Sequence, residues 1–237
     1  NMLGAIMGRT ELMLLEMTPD DPQRASLQEI HRAAQRSAEL TKQLLAFARK
    51  QTVTPKVLDL NRTLEGMLKM LRRLLGEDID LVWRPTENIW PVKLDASQVD
   101  QLLTNLCVNA RDAIRDVGRI TIETGKKILD EAYCSQNQGF VPGEYVMLTV
   151  SDDGCGMPRE TRDKIFEPFF STKEKEKGTG LGLAITKRLV EVMGGSITLI
   201  SEVGVGTSFS ITLPQVPVVA AATICSQQED VFGEQQF

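Results

Sequence analysis

Apolar positions along this chain change period part of the way through. Over residues 1–50 they recur at three- and four-residue intervals. Met2, Leu3, Ile6, Met7, Leu12, Met13 and Leu15 form one helical stripe. A second stripe runs through Leu27, Ile30, Ala34, Ser37, Leu40, Thr41, Leu44, Leu45 and Ala48. Thr18-Pro-Asp-Asp-Pro22 separates them, because proline and Asx residues favour turns. A two-helix hairpin cannot bury two such stripes alone, so pairing with a second copy into a four-helix bundle is expected, and with it a homodimer.

Residues 51–56, with Pro55, read as a linker. Beyond it the pattern is mixed. Leu60–Leu75 predicts a helix, and Ile79–Trp83 and Val92–Leu94 predict short strands. Gln98–Val117 predicts a helix with Val99, Leu102, Leu103, Leu106, Ala110, Ala113, Ile114 and Val117 on one face, stopped by Gly118. Strands are expected at Arg119–Thr124 and Tyr145–Ser151, with Tyr133–Gly143 as a polar loop between them. Pro158–Ile165 reads as a short helix and Leu181–Met193 as a longer one ending at Gly194-Gly195. Ser196–Ser201 and Thr207–Leu213 read as a hairpin around residues 202–206. The expected class is α+β: a helical hairpin over 1–54, an α/β sandwich over 55–214 with helices on one face of a mixed sheet, and a linker or tail over 215–237.

Composition narrows the possibilities. At 42% hydrophobic and 25% charged, the chain has the make-up of a soluble globular protein. A net charge of −5 argues against a nucleic-acid partner, which would call for a basic face. The longest uncharged apolar run, near Val216–Cys225, is about half the roughly 20 residues a membrane span requires. Four cysteines (Cys107, Cys134, Cys155, Cys225) lack metal or disulfide spacing and read as reduced thiols of a cytoplasmic protein. His31, the only histidine, has no triad or zinc company and reads as a surface residue of the bundle.

Three motifs carry the candidate chemistry. Asn105 and Asn109 lie four apart on one side of the Gln98–Val117 helix. An amide oxygen there can join phosphate oxygens and waters around Mg²⁺. Asp152-Asp-Gly-Cys-Gly156 follows a strand. Its glycines let the backbone turn sharply beside a planar ligand, and its first carboxylate can accept from an exocyclic amine, as on adenine. Gly178-Thr-Gly-Leu-Gly182 opens a helix whose N–H groups attract phosphate, yet it is neither a P-loop nor a dinucleotide fingerprint. Ser171–Lys177 before it is highly charged and reads as a mobile lid, with Lys173, Lys175 or Lys177 in reach of phosphates. Phe166, Phe169 and Phe170 flank Pro168 and either anchor that lid or pack in the core.

On these residues the chain resembles the transmitter core of a sensor histidine kinase of the two-component type. Residues 101–113 (QLLTNLCVNARDA) are similar to the family's N box, Asp152–Gly156 to its G1 box, Phe166–Phe170 to its F box and Gly178–Ala184 to its G2 box. Gly204-Val-Gly-Thr207 resembles a final glycine turn. The resemblance implies the Bergerat ATP-binding fold, with ATP and Mg²⁺ as cofactors and a response-regulator receiver domain as partner. It implies Asn105, Asn109 and Lys173 as catalytic residues and Asn109 as the metal ligand. Nucleotide contacts are implied at Asn109, Asp112, Asp152, Gly154, Gly156, Phe169, Lys177, Gly178, Thr179, Gly180, Leu181, Gly182 and Thr207.

Two positions depart from the family's pattern. Its phosphoacceptor histidine falls just before residue 1, and His31 does not match it. The lysine that many members carry three residues after the metal asparagine is Asp112 here, with Arg111 as a neighbouring substitute. The expected function is transfer of the ATP γ-phosphoryl to a histidine and on to a response-regulator aspartate, in a cytoplasmic region whose parent is free to be membrane-anchored. The alternatives are an ATP-hydrolysing relative and a nucleotide-binding module without kinase activity. Against the former, the position where such relatives keep a glutamate base is Asn105, which cannot take a proton from water.

Overall fold

The computed structural model describes residues 2–18, 20–48, 54–136, 140–173 and 178–216. The chain divides into two compact units, residues 1–53 and 54–237.

The first unit is a pair of helices, α1 (Met2–Glu16) and α2 (Arg24–Ala48). They run antiparallel: Arg24 Nη1 donates to the carbonyls of Leu14 and Met17, and Thr10 Oγ1 meets His31 Nδ1 at 2.7 Å. Thr10, Leu27 and Ala34 are buried between the helices, whereas Met2, Leu12 and Leu15 stay 84%, 62% and 78% exposed. His31 is half-buried, held by Thr10 on one side and Gln35 Nε2 on the other at 2.9 Å. It therefore joins the helices, where the sequence reading had it as a surface residue.

The second unit begins with β1 (Lys56–Leu58), which pairs antiparallel with β3 (Val92–Leu94). The expected linker thus ends sooner, at the strand's first residue, and residues 51–53 lie outside the described residues. Next come α3 (Leu60–Leu75), β2 (Ile79–Arg84), α4 (Ala96–Ala113), β4 (Gly118–Leu129), α5 (Glu131–Gln136) and β5 (Gly143–Asp152). The short α6 (Arg159–Arg162), α7 (Gly182–Val192), β6 (Ser196–Glu202) and β7 (Gly206–Pro214) complete it. Asp59 and Asp95 cap α3 and α4, each accepting from a backbone N–H of the first turn.

The five-stranded sheet has the order β2-β4-β5-β7-β6; β2 and β4 are parallel and the other pairs antiparallel. Alternation decides its two faces. Ile120, Ile122, Val146, Leu148, Val150, Phe209, Ile211 and Leu213 share a register face and are buried. They form one core with Leu60, Leu64, Leu71 of α3, Leu102, Leu103, Leu106 of α4 and Val190 of α7. On the opposite face Ser151 and Thr149 pair with Ser208 and Ser210 through their hydroxyls, leaving it polar. The expected α/β sandwich with a one-sided mixed sheet is the observed fold.

Other expected boundaries move: α5 enters the expected Tyr133–Gly143 loop as far as Gln136, the expected Pro158–Ile165 helix shortens to Arg159–Arg162, and three further shifts have visible causes. The helix drawn from Gln98 to Val117 runs from Ala96 to Ala113, and Val117 is 80% exposed. Ile114 takes an extended conformation at the C-cap, and the Ala113 carbonyl accepts from Cys155 N–H at 2.9 Å. A tertiary contact thus ends a helix whose apolar period carries on. Strand β4 extends past Thr124 to Leu129 because Gly125, Lys126 and Lys127 keep their rungs with Met147, Val146 and Tyr145. Gln215 bridges to Val92 and Val216 N–H donates to Pro91 O, so the expected tail is still attached to the fold over its first two residues. Its remainder lies outside the described residues.

Candidate functional site

Helix α4 is the spine of the site. Its Asn105 Nδ2 donates to Gly182 O at 3.3 Å and to Thr186 Oγ1 at 3.4 Å, tying it to the first turn of α7. Thr186 is fully buried and donates from Oγ1 to the same Gly182 carbonyl at 2.9 Å. One turn further, Asn109 is half-buried with its amide against Gly182, whose absent Cβ would lie 3.8 Å from Asn109 Nδ2. The α7 N-terminus at Leu181 has no side-chain cap, so its first N–H groups face a site that attracts anions. Leu181 itself is buried, anchoring that end; its N–H reaches Thr179 Oγ1 at 3.4 Å.

At the C-terminal end of α4 lies the turn that follows β5. Asp152 stands opposite Thr207 on the β5–β7 ladder, and its Oδ1 accepts from Gly154 N–H at 2.9 Å. Burial pushes its carboxyl up from the usual range; the N–H groups of Gly154 and Thr207 pull it down, and the neighbouring Asp153 charge adds to the rise. Gly156 has a φ of 64°, and a Cβ there would lie 1.9 Å from Glu202 O, so only glycine closes this turn. Gly154 packs on the Ala113 backbone, where a Cβ would sit 2.8 Å from the carbonyl. Ser201, unremarked in the sequence, holds the turn from the other side. Its Oγ accepts from Met157 N–H, donates to Gly206 O and meets Thr207 Oγ1 at 2.9 Å. Neither Ser201 nor Thr186 stands out in the sequence: Ser201 is one of three hydroxyl residues on β6, and Thr186 sits beside Lys187 and Arg188 on α7.

The segment between these turns divides its phenylalanines. Phe166 and Phe170 pack partly buried against the core, with Lys187 Nζ over the Phe166 ring at 5.5 Å. Phe169 is 65% exposed at a φ of 68°, and its N–H donates to Gly180 O at 3.0 Å. Gly180 (φ 66°) approaches so closely that a Cβ would meet the Phe169 carbonyl carbon at 2.4 Å. The Phe169 ring thus points to solvent, and what its position fixes is the backbone of the glycine loop. Gly178 lies against Ser171 and Lys173. From there Lys173 Nζ donates to Asn109 Oδ1 at 3.3 Å and forms an ion pair with Asp112. Lys175 and Lys177 lie outside the described residues.

Asn105, Asn109, Asp112, Lys173 and Gly182 are therefore brought together along the C-terminal half of α4, and Asp152, Gly154, Gly156 and Thr207 are gathered in the turn that packs on its last residue, Ala113. Among the described residues, no group of three or more His, Cys, Asp or Glu side chains could hold a metal. The donor set fits a hard cation that brings most of its own oxygen ligands: one amide oxygen, Asn109 Oδ1, which already faces an ammonium. A separate hollow beside α3 and β2, lined by Arg72, Arg73, Asp78, Asp80 and Val117, shares no residue with this site. Among the described residues no helix is long and apolar enough to cross a membrane.

Residues 94–217 match the histidine kinase-, DNA gyrase B-, and HSP90-like ATPase family, and the chain belongs to it. It is 42% identical over 216 residues to the sensor kinase CckA of Brucella abortus (strain 2308), covering 91% of this chain and 23% of that protein. Among solved structures, full-length ShkA in complex with AMPPNP is similar at a TM-score of 0.68 and 24% identity, over 90% of this chain and 43% of that one. The histidine kinase ThkA in complex with the response regulator TrrA is similar at 0.63 and 21%, over 91% and 58%. The chain thus spans only part of each relative. The likeness to the sensor histidine kinase core, first visible in its motifs, is borne out by this family and these relatives.

Proposed function

We propose that residues 55–214 are the catalytic ATP-binding domain of a sensor histidine kinase, and residues 1–54 its dimerisation and histidine-phosphotransfer hairpin. Residues 215–237 act as a linker or tail. The observation that carries this reading is the meeting of the α4 asparagines with the uncapped N-terminus of α7, with the Asp152 turn packed on the C-terminal end of the same helix. Asp152 accepts from the exocyclic amine of adenine and rejects guanine, which presents a carbonyl there. The N–H groups of Gly182 and its successors bind phosphate oxygens. Asn109 Oδ1 ligates Mg²⁺, Asn105 holds the first turn of α7 in place, and Lys173 supplies positive charge at the phosphate end. When bound, the Mg²⁺ neutralises charge that builds up on the phosphate oxygens as the γ-phosphoryl moves. The chain's own contribution is orientation and fixed dipoles, since the amide of Asn105 cannot take a proton from water.

The phosphoryl group would pass to a histidine upstream of residue 1 and then to a receiver-domain aspartate docked on the helices, in the cytoplasm. Exposure of Met2, Leu12 and Leu15 on α1 supports a homodimer through the hairpin. The test is calorimetric titration with a non-hydrolysable ATP analogue, with and without Mg²⁺, beside Asn109→Ala and a GTP control. Adenine-selective binding, enhanced by Mg²⁺ and weakened by Asn109→Ala, is the expected result. A longer chain carrying the upstream residues should then gain acid-labile phosphate from ATP. No binding by the folded protein would sink the reading.

A further inference from the structure

The Lys173 ammonium sits where a metal would have to sit. Its Nζ lies 3.3 Å from Asn109 Oδ1, the oxygen assigned above to Mg²⁺, and is held there by an ion pair with Asp112. Both groups of the pair are partly sheltered, the lysine side chain at 32% exposure and the carboxylate at 39%. Lys173 reaches the position from a loop that is itself braced: its N–H donates to Ser171 Oγ at 3.1 Å, and Gly178 closes against its side chain. Asn109 and Asp112 lie three apart on α4 and so share one side of that helix.

We infer that Lys173 is a placeholder cation, tethered by Asp112, that occupies the metal position of the nucleotide-free site and has to be displaced from Asn109 when a divalent ion arrives with its nucleotide. This rests on the ATP reading above and adds how the site is kept while empty. The argument is electrostatic. Mg²⁺ binds an oxygen at about 2.1 Å and demands near-octahedral surroundings. A univalent ammonium on the same oxygen repels it and takes up part of those surroundings, so the two cations cannot share Asn109 Oδ1. An empty site without Lys173 would instead present Asp112 unpaired beside the amide oxygen, attracting stray divalent ions and repelling the nucleotide's phosphates. Asp112 is in this account a positioning residue. It stops the lysine leaving altogether, so that the displaced ammonium remains at the rim, on the phosphate side, once the metal has come in.

The experiment measures, on the 237-residue chain, binding of a non-hydrolysable ATP analogue by calorimetry across a Mg²⁺ series, for the unaltered chain, Lys173→Gln and Lys173→Arg. Removing the placeholder should lower the Mg²⁺ concentration of half-maximal effect by at least about fivefold, within the usual range of coupling between linked sites. Binding at saturating Mg²⁺ should fall only slightly, by the loss of one positive charge at the rim, and binding without metal should fall further, because Asp112 is then unpaired. Lys173→Arg keeps the charge and should keep the unaltered midpoint. The side-chain amide resonances of Asn109 should shift in nucleotide-free Lys173→Gln and respond to Mg²⁺ alone. An unchanged or higher Mg²⁺ midpoint in Lys173→Gln overturns the placeholder while the ATP reading stands. So does an equal loss of affinity at every Mg²⁺ concentration, which would make Lys173 a plain phosphate contact. Failure of the unaltered chain to bind the analogue at all overturns the ATP reading, and this inference with it.

Discussion

The helical hairpin and the α/β unit are built from similar apolar content but close differently. In residues 54–216 three helices lie on one sheet face and share a single core, so that Leu60, Leu64, Leu103, Ile120 and Ile211 are fully buried within the unit. In residues 2–48 two helices touch along one seam, sealed by Leu27, Ala34 and the Thr10–His31 hydrogen bond, while much of the α1 stripe stays in water. A sheet with one polar face can satisfy itself; a pair of amphipathic helices with wide stripes cannot. The unit that binds is self-sufficient, and the unit proposed to dimerise carries its unmet need on its surface.

Truncating the core is the strongest way to break this comparison. Leu103→Ala should cost the α/β unit about 2–5 kcal/mol in urea unfolding. Leu15→Ala, at an exposed α1 position, should change the stability of the dilute chain by less than about 0.5 kcal/mol. Equal costs would mean that the two units do not differ in how they close.

Next comes a change that separates binding from stability inside the α/β unit. Asp152→Asn should weaken adenine-nucleotide binding by roughly 10- to 150-fold, the worth of a hydrogen bond to a charged group at about 1.5–3 kcal/mol. It should leave the empty protein as stable or slightly more so. Burial is the chief cause that raises the folded-state value of Asp152 above the ordinary carboxylate range. The folded chain therefore binds this proton more tightly than the unfolded chain does. Stability from the group is full below the unfolded value and is lost as pH rises through the folded one. Any gain in thermal midpoint from Asp152→Asn should accordingly appear at pH 7 and vanish near pH 3.

The smallest effect tests the seam of the hairpin. Thr10→Val deletes the bond to His31 and should lower the stability of the helical unit by about 0.5–1.5 kcal/mol. Circular-dichroism melting should register it, with nucleotide affinity unmoved. A shift in affinity would show coupling between the units that the comparison above does not include.

Much of this was legible in the chain beforehand, for identifiable reasons. Leu60–Leu75 and Leu181–Met193 announce themselves because their apolar period and flanking glycines agree with the fold. The glycine turns were readable because positive φ and close backbone approach leave no other residue, as Gly156 and Gly180 bear out. The end of α4 was not. Its period continues through Ile114 and Val117, and what stops it is Cys155 taking the Ala113 carbonyl from forty-two residues further on. Pairings of Lys173 with Asp112 and of Asn105 with Thr186 were hidden for the same reason, since they join residues 61 and 81 positions apart. Local chemistry names the participants in a site, while long-range packing decides which of them meet.

Strand β7, the last among the described residues, is not at the edge of the sheet but between β5 and β6. It brings Thr207, whose N–H steadies the Asp152 carboxylate, and Gly206, whose missing Cβ lets the backbone pass the Asp152 carbonyl. During synthesis, then, α3, α4 and most of the sheet leave the ribosome before the surroundings of Asp152 can be completed. A nascent chain halted short of β7 would carry both asparagines and both glycine turns and still lack the N–H that steadies Asp152. The turn is complete only once β7 takes its central place between β5 and β6.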